Sequence, residues 1–330
     1  MVHAPLFLCA LLTAIPFAEG GRAFDAVQGL EQRAPKELIG DLASADPAAR
    51  TRAACGLREL GDRAADAIAP LVRTLADGAP VDGAICGRRW SRHGDDTLTS
   101  PGEEAAAALA AIGTRAFQPV LATLHDDAWI ARRNSAWTLG ALDDDRAVDG
   151  LVEALRDREA SVREQAAWAL GAIDDKRAVP ALIASLKDSD VRVRRQAAWA
   201  LGALDDARAT AALVQTLSDA DERARSQAAW ALGAIDDRSA VPGLTRALSD
   251  KADAVRKQAA WALGAIDDAG GVDPLVHALT DTSAGVREQA AWALGAIGDS
   301  RALPGLLVAL KDDNVSVRRQ AAWAIGAIGK

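Results

Sequence analysis

A period of 31 residues runs through most of this 330-residue sequence, and so regular a period leaves few possible folds. Seven tryptophans stand at this spacing: Trp137, Trp168, Trp199, Trp230, Trp261, Trp292 and Trp323. The phrase QAAWALGAIDD surrounds them with little change. Periods of about 20–50 residues are typical of arrays in which one small unit is repeated and stacked. We therefore expect one elongated array rather than two compact domains.

One complete unit, residues 177–206, predicts two helices. In its first half, apolar residues at i, i+3, i+4 and i+7 form one stripe of an amphipathic helix: Val179, Leu182, Ile183 and Leu186. The sequence then breaks at Asp188-Ser189-Asp190, where short polar side chains can cap a following helix. The second half contains the tryptophan and is again helical in pattern. Each period is therefore a helical hairpin.

The array extends upstream of the first periodic tryptophan. Cys55 occupies the tryptophan position in AACGLREL, and Ala107 occupies it in AAAALAAIG. About nine hairpins result, over residues 35–330, with an inserted loop at about residues 78–100. A pair of short helices cannot bury its own apolar stripe, so neighbouring units must stack into a continuous core. The predicted fold is an all-α solenoid with a 31-residue period.

The repeated helices resemble a known family. The RAVxxL first helix and the VRxxAAxALGxIGD-like second helix are similar to HEAT-like repeats of the phycobilisome-lyase type, which occur in many bacterial proteins and in designed repeat scaffolds. The resemblance covers about residues 35–330 and implies a right-handed α-solenoid. Its members include bilin lyase subunits, a diiron deoxyhypusine hydroxylase and many proteins that bind other proteins. Fold alone does not choose among these functions.

Helical rotation places the tryptophans away from the packed side of the second helix. In the unit around Trp168, the residues that converge on one side are Val162, Ala166, Ala169, Leu170 and Ile173. Trp168 lies roughly opposite, beside Glu164, Gln165 and Ala172. The family resemblance implies that this side lines the concave surface of the superhelix. At about 8–10 Å per helix, the seven rings would form a ladder about 50–60 Å long.

Two interpretations of the ladder stay open. In the structural one, each indole covers the next and the aliphatic part of a periodic glutamine: Gln165, Gln196, Gln227, Gln258, Gln289 or Gln320. In the functional one, these tryptophans and glutamines bind a partner helix, an extended peptide or a glycan, since tryptophan is enriched at interaction sites. We take the functional interpretation as the hypothesis, because a large apolar surface is rarely left open without a purpose.

Other periodic residues indicate structure rather than function. We expect a ladder of ion pairs between Arg132, Arg163, Arg194, Arg225, Arg256, Arg287 and Arg318 and the aspartates Asp143, Asp174, Asp205, Asp236 and Asp267. Glycines interrupt each helix where a side chain would hold neighbouring units apart: Gly140, Gly171, Gly202, Gly233, Gly264, Gly295 and Gly326. The position of Glu164 varies in charge from unit to unit. Partner recognition and drift after duplication explain that variation equally well.

The insertion at 78–100 breaks the repeat and carries a basic cluster. Arg88, Arg89 and Trp90 could bind an anion or an acidic partner, although a solvated loop is the commoner meaning of such a run. His93, Asp95 and Asp96 give only a weak metal signal, because no second histidine or cysteine pair stands at ligand spacing. We therefore predict no metal site. Ser100 and Glu103 form a capping box where helix resumes.

The N-terminus and the cysteines bear on the cellular location. The run from Ala4 to Ala18 is apolar except for Thr13 and fits the core of an export signal at about residues 1–20, followed by a linker at 21–34. A short membrane anchor or the start of a truncated larger protein are the alternatives. If the signal is removed, Cys55 and Cys86 are left as candidates for a disulfide, or as one buried and one loop thiol. We expect a periplasmic, secreted or envelope-associated protein, and otherwise a cytoplasmic one.

Charge and motifs restrict the activity. Lysine and arginine number 38 against 46 acidic residues, so 38 − 46 gives a net charge of −8, which disfavours nucleic acid as a partner. None of the four histidines precedes a glutamate, whereas the diiron hydroxylase depends on His-Glu pairs. No nucleophile elbow, phosphate loop or CxxC motif occurs. We predict no catalytic residue, no cofactor and no membrane span in the mature chain.

The sequence as a whole favours a non-catalytic scaffold that binds a protein or peptide on its concave Trp/Gln surface. The enzymatic alternative is a subunit of a bilin lyase, or a chaperone-like factor for chromophore attachment. A second alternative is a regulatory segment of a larger envelope membrane protein. The last unit ends at AIGK without a distinct polar cap, which solenoids normally need. We therefore expect self-association through that unit, or truncation.

Overall fold

The computed structural model describes residues 34–86 and 98–329, and it confirms the predicted all-α array of hairpins. The first helices of units 1 to 9 are Pro35–Asp41, Ile68–Thr74, Phe117–Ala122, Val148–Ala154, Val179–Ser185, Thr210–Thr216, Val241–Ala247, Val272–Ala278 and Leu303–Ala309. The second helices are Pro47–Leu60, Pro101–Ile112, Trp129–Leu142, Ala160–Ile173, Val191–Ala203, Glu222–Ile235, Asp253–Ile266, Ala284–Ile297 and Val315–Ile328. Each second helix packs against the second helix of the next unit.

Short polar side chains set where these helices begin. In unit 5, the Asp175 carboxylate accepts a hydrogen bond from the backbone N–H of Arg177, which starts a single 3₁₀ turn before the first helix. Asp190 accepts from the backbone N–H of Arg192 at the start of the second helix. Such caps satisfy donors that the helix itself leaves unpaired. The DSD break in the sequence therefore becomes the turn between the two helices.

One continuous core runs through all nine units. In unit 5 it contains Val179 and Leu182 from the first helix and Val193, Ala197 and Leu201 from the second, all fully buried. Alanine dominates the second helices, which allows close approach between neighbours. Because each unit buries its stripe against the units beside it, the fold grows by stacking.

The glycines permit this approach, as the sequence predicted. A Cβ added at Gly171 would lie 2.8 Å from both the Cα and the Cβ of Ala200 in the next unit. It would also lie 2.8 Å from Cζ3 of Trp199. Real Cβ atoms are not found so close to other carbon atoms, so any larger residue must push the helices apart. The equivalent position in unit 9, Gly326, has nothing within 4 Å.

The predicted arginine–aspartate pairing is wrong in its acidic partners. Arg194 in unit 5 binds Asp219, at 2.7 and 2.9 Å, and donates to the backbone oxygens of Asp188 and Ser189. The arginine of each of units 3 to 8 uses the aspartate 25 residues later in this way: Asp157, Asp188, Asp219, Asp250, Asp281 and Asp312. The loop after the next unit's first helix supplies the carboxylate, which the sequence does not place in space.

The five aspartates first chosen as partners have another role. Asp143, Asp174, Asp205, Asp236 and Asp267 end their second helices with left-handed backbone, at φ between 44° and 56°. Aspartate tolerates this conformation better than most residues, because its short side chain can bond locally. Gly298 takes the same place in unit 8, at φ 72°. These residues turn the chain toward the next unit.

The insertion is anchored at both of its described ends. Val81–Asp82 pairs antiparallel with Leu98–Thr99, in the register Val81 with Thr99. Cys86 forms a disulfide with Cys55 of the unit 1 second helix, and their Cα atoms are 5.9 Å apart, a usual separation for bridged cysteines.

None of the helices in the described segments is by itself long and apolar enough to cross a bilayer. One bent pair, Pro101–Ile112 with Thr114–His125, reaches the length and hydropathy together but turns by 118°.

Candidate functional site

The periodic tryptophans lie at the edge of the core, neither sunk in it nor projecting freely. Six of them are half-buried: Trp137, Trp168, Trp199, Trp230, Trp261 and Trp292. The benzo edge of each ring from Trp168 onward covers the glycine of the preceding unit, as Trp199 covers Gly171. The rings remain partly accessible to solvent. The rings therefore both seal the gaps between second helices and present an aromatic surface.

The two ends of the ladder differ. The indoles of Trp137 and Trp168 stack, with ring centroids 6.1 Å apart and planes within 7° of parallel. Trp323 in unit 9 is 48% exposed, because its second side has no following unit against it. We call the surface formed by the seven periodic tryptophans and the six periodic glutamines the Trp/Gln surface.

The glutamines of this surface precede the tryptophans by one helical turn. Gln165, Gln196, Gln227, Gln258, Gln289 and Gln320 are all half-buried. Within the described part of the chain, none of their side-chain amides makes a hydrogen bond to another residue. Each amide is therefore a donor and an acceptor beside an aromatic ring, and both are available to a ligand.

Charge on the surface comes from the position just before each glutamine. In units 3 and 4 these charges are already paired, since Arg133 lies 3.0 Å from Glu103 and Glu164 lies 3.6 Å from Arg192. In units 5 to 9 the residues are Arg195, Ser226, Lys257, Glu288 and Arg319. Within residues 34–86 and 98–329, these four charged side chains have no ion-pair partner.

A cleft of about 330 Å³ opens on this part of the surface. It is lined by Lys257, Trp261, Glu288, Gln289, Trp292 and Gln320. Two aromatic rings, two amides, one cation and one carboxylate thus surround one space. Such a mixture can hold a polar chain that also offers apolar contacts.

The insertion covers the equivalent positions in units 1 and 2. Thr51, Cys55 and Ala107 are buried here, whereas their counterparts in units 4 to 8 are half-buried or, at Lys257, exposed. Cys86 lies on Thr51, with its Sγ 4.0 Å from the Thr51 carbonyl oxygen. Sequence reasoning missed this placement. The small residues Cys55 and Ala107 at the tryptophan position were the available signal, since they leave room for a covering segment.

A buried carboxylate supports the covering segment. Glu104, at the glutamine position of unit 2, accepts hydrogen bonds from the Arg58 guanidinium at 2.6 Å and from the Thr99 hydroxyl at 3.0 Å. Among the described residues, Cys55, Cys86 and Glu104 are the one group close enough to share a metal ion. Both sulfur atoms are joined in the disulfide, so we assign no metal here.

The remaining predicted site residues lie outside the described residues. They are Arg88, Arg89 and Trp90, together with the weak metal candidates His93, Asp95 and Asp96. The predicted export signal lies in the N-terminal segment that is likewise outside the described ranges.

Unit 9 presents an apolar end face. Leu307, Val308 and Val315 are 54%, 70% and 67% exposed. Arg318 donates to two backbone oxygens as its counterparts do, but no carboxylate of the described chain takes the place of the next unit's aspartate. Val308 is unusual, because the corresponding residues in units 7 and 8 are Arg246 and His277.

Comparison with protein families identifies the repeat. The family model described as HEAT repeats matches residues 102–164, 148–223, 210–291 and 272–330, which together span residues 102–330. A search of curated proteins gives no match.

The chain is also similar to several solved structures. A chain from the structure of Kap95p with RanGDP is 16% identical, covering 92% of this chain and 48% of that one, with a TM-score of 0.66. Escherichia coli YibA is 18% identical, covering 96% of this chain and 100% of that one, with a TM-score of 0.57. The CpcE–CpcF phycocyanin lyase from Nostoc is 26% identical, covering 64% of this chain and 93% of that one, with a TM-score of 0.44. At 16–18% identity, the first two show the fold alone.

Proposed function

This chain belongs to the HEAT-repeat family, and from that premise we propose that it is a non-catalytic scaffold that binds a protein or peptide partner on its Trp/Gln surface. One observation carries the proposal. Six tryptophans, from Trp168 to Trp323, each follow by three residues a glutamine whose side-chain amide makes no hydrogen bond to another described residue, and five of these tryptophans are half-buried. Amphipathic aromatic rings beside uncommitted hydrogen-bonding groups are typical of interaction hot spots.

The tryptophans make only a limited contribution to the stability of the fold. The benzo edge of each ring from Trp168 onward packs on the glycine of the preceding unit, while the fully buried core is filled mainly by alanine, valine and leucine. A fully buried tryptophan costs about 3–5 kcal/mol when replaced by alanine. For these half-buried rings we expect about 1–3 kcal/mol per ring, which the array tolerates because each unit contacts only its neighbours.

A double variant tests the proposal. We expect Trp199→Ala with Trp230→Ala to retain helical circular dichroism and a cooperative melt while losing the partner that crosslinks to the wild-type protein. Gln215→Ala with Arg246→Ala, on exposed positions of the first helices, serves as the matched control and retains the partner. Global unfolding of the tryptophan variant, or unchanged crosslinking, would leave the rings with a structural role only.

We also place this scaffold in the cell envelope or outside the cell. The apolar run from Ala4 to Ala18 supports export, and the Cys55–Cys86 disulfide is of the kind that persists in oxidising compartments. N-terminal sequencing of the mature protein tests this, and an intact Met1 on a cytosolic product contradicts it.

A further inference from the structure

We infer that the Trp/Gln surface of units 5 to 9 binds an extended polypeptide segment that carries acidic side chains; this rests on the proposed function and names its partner class. The surface is defined here by Gln196 to Trp323 and by the residue before each glutamine. The argument depends on what is constant and what varies between units of the same chain.

The glutamine that is the same in units 4 to 9 would recognise a group that repeats along the ligand. Every unit from 4 to 9 has glutamine at the same position, half-buried and without a hydrogen bond to another described residue. A neutral amide offers one carbonyl acceptor and an N–H donor, which matches the C=O and N–H of a peptide group. A glycan or a phosphate would not require the same neutral amide in six successive units. The polypeptide main chain does repeat the same pair of groups.

Main-chain recognition requires an extended partner. In a helix the main-chain N–H and C=O groups are bonded to one another, apart from those at its ends. Only an extended strand or a polyproline II segment leaves them open along its length. The row of glutamine amides therefore favours an extended segment over a docked helix.

The residue just before each glutamine differs from unit to unit and would select the charge of the ligand side chains. In units 5, 7 and 9 it is Arg195, Lys257 and Arg319, so a cation stands in every second unit. Ser226 and Glu288 lie between them. No described residue pairs with these three cations, although the chain as a whole carries a net charge of −8. Local positive charge on an acidic protein is complementary to carboxylates on the ligand.

The cleft in units 7 and 8 shows this chemistry in one place. Lys257 stands at its wall beside Trp261 and Trp292, with the amides of Gln289 and Gln320 at its edge. A carboxylate at Lys257 leaves the neighbouring rings to pack on the aliphatic part of the ligand. Glu288 in the same wall accommodates a single basic or polar residue.

Binding of defined peptides tests the inference. Five units at about 8–10 Å each are spanned by about 12 extended residues. The probes are fluorescein-labelled peptides of that length with alternating Ser–Glu, Ser–Gln or Ser–Lys sequence, and an oligothymidylate of similar length, measured by fluorescence anisotropy. We expect the Ser–Glu peptide to bind at least tenfold more tightly than the Ser–Gln peptide, and the Ser–Lys peptide and the oligonucleotide to bind more weakly still.

Two sets of variants separate the two kinds of contact. Arg195→Gln, Lys257→Gln and Arg319→Gln together should weaken the Ser–Glu peptide about tenfold and leave the Ser–Gln peptide unchanged. Gln227→Met, Gln258→Met and Gln289→Met keep the side-chain length but remove the amide, and should weaken both peptides by a similar factor. Arg246→Gln, an exposed cation on a first helix, is the control and changes neither.

The outcomes distinguish this inference from the proposed function. Equal or tighter binding of the Ser–Lys peptide or the oligonucleotide overturns it, as does absence of peptide binding or insensitivity to both variant sets. If the peptide results overturn the inference but Trp199→Ala with Trp230→Ala still abolishes partner crosslinking, the proposed function stands. Only the identification of the partner as an acidic, extended segment is then wrong. If neither peptides nor the crosslinked partner respond to the tryptophan variant, both fail.

Discussion

Glycine and tryptophan act as a pair across each junction between units. Glycine is required at position 202 because Trp230 and Ala231 of the next unit lie directly against its backbone. The tryptophan gains a flat, close backbone to cover, and the glycine's intrinsic cost of about 1 kcal/mol in a helix is offset by that packing. Gly326 has the same sequence context but no neighbour within 4 Å. A comparison of the two positions therefore separates the effect of packing on stability from the effect of helix propensity.

Alanine substitution at these two glycines should change stability in opposite directions. At Gly202 a Cβ would lie 2.7 Å from Trp230 Cζ3 and 2.8 Å from Ala231 Cα, so we expect a loss of about 1–3 kcal/mol. At Gly326 we expect a gain of up to about 1 kcal/mol. Urea denaturation followed by circular dichroism measures both. Equal effects at the two sites would show that the close contact is not what fixes the glycine.

The ion-pair ladder joins three elements at once. Arg194 begins in one second helix, donates to the turn that precedes that helix and binds a carboxylate of the next unit. The guanidinium hydrogen bonds hold the pKa of Asp219 and Asp281 below the usual range, through Arg194 and Arg256 respectively. A lowered pKa in the folded state stabilises the fold above the unfolded aspartate pKa of about 3.9, and that contribution is lost as the pH falls through the folded value.

Removal of one arginine should therefore have a pH-dependent cost. We expect Arg194→Ala to lower the free energy of unfolding by about 1–3 kcal/mol at neutral pH, since the pair is mostly buried. As the pH falls through the lowered, folded-state pKa of Asp219, the difference from wild type should shrink, because Asp219 becomes protonated with or without its partner. Arg318→Ala, whose arginine lacks a carboxylate of the described chain, should cost less. Denaturant midpoints across pH check this, and a constant difference would contradict it.

The elements were predictable from sequence to different degrees. Helical period, capping aspartates and glycine positions follow from local rules, so the hairpin and its stacking could be read from residues 177–206 alone. The acidic partner of Arg194 could not be predicted from the sequence. Aspartates at several positions in each unit have suitable chemistry, and only the three-dimensional path of the loop selects Asp219. The tryptophan rotation put Trp168 opposite the packed side of its helix, whereas its ring lies half-buried at the edge of the core. It did not give the contact with the preceding glycine, which depends on the spacing between units.

The first and the last described units differ in what they expose. Units 1 and 2 are covered by the disulfide-anchored insertion, whereas unit 9 exposes Leu307, Val308 and Val315. A second copy stacked in register on unit 9 would place Ser44 where units 4 to 9 have the ladder aspartate, so Arg318 would still lack a carboxylate partner. Association of two copies through their unit 9 faces fits the exposed apolar residues better.

We predict that the protein self-associates through unit 9. Multi-angle light scattering should show a concentration-dependent dimer, and Val308→Asp should shift it to monomer by placing charge in the apolar contact. His277→Asp, at the corresponding exposed position of unit 8, is the matched control and should leave the dimer intact. A monomer at all concentrations would contradict the prediction.

The disulfide between Cys55 and Cys86 has a consequence for direction. It holds Cys86 against the second helix of unit 1, where Cys55 takes the tryptophan position, and the row of tryptophans runs from Trp137 to Trp323. A chain lying in this row has a blocked side and an open side. One terminus of that chain would meet the insertion in every complex, and its residues would take their places along the units relative to that fixed end.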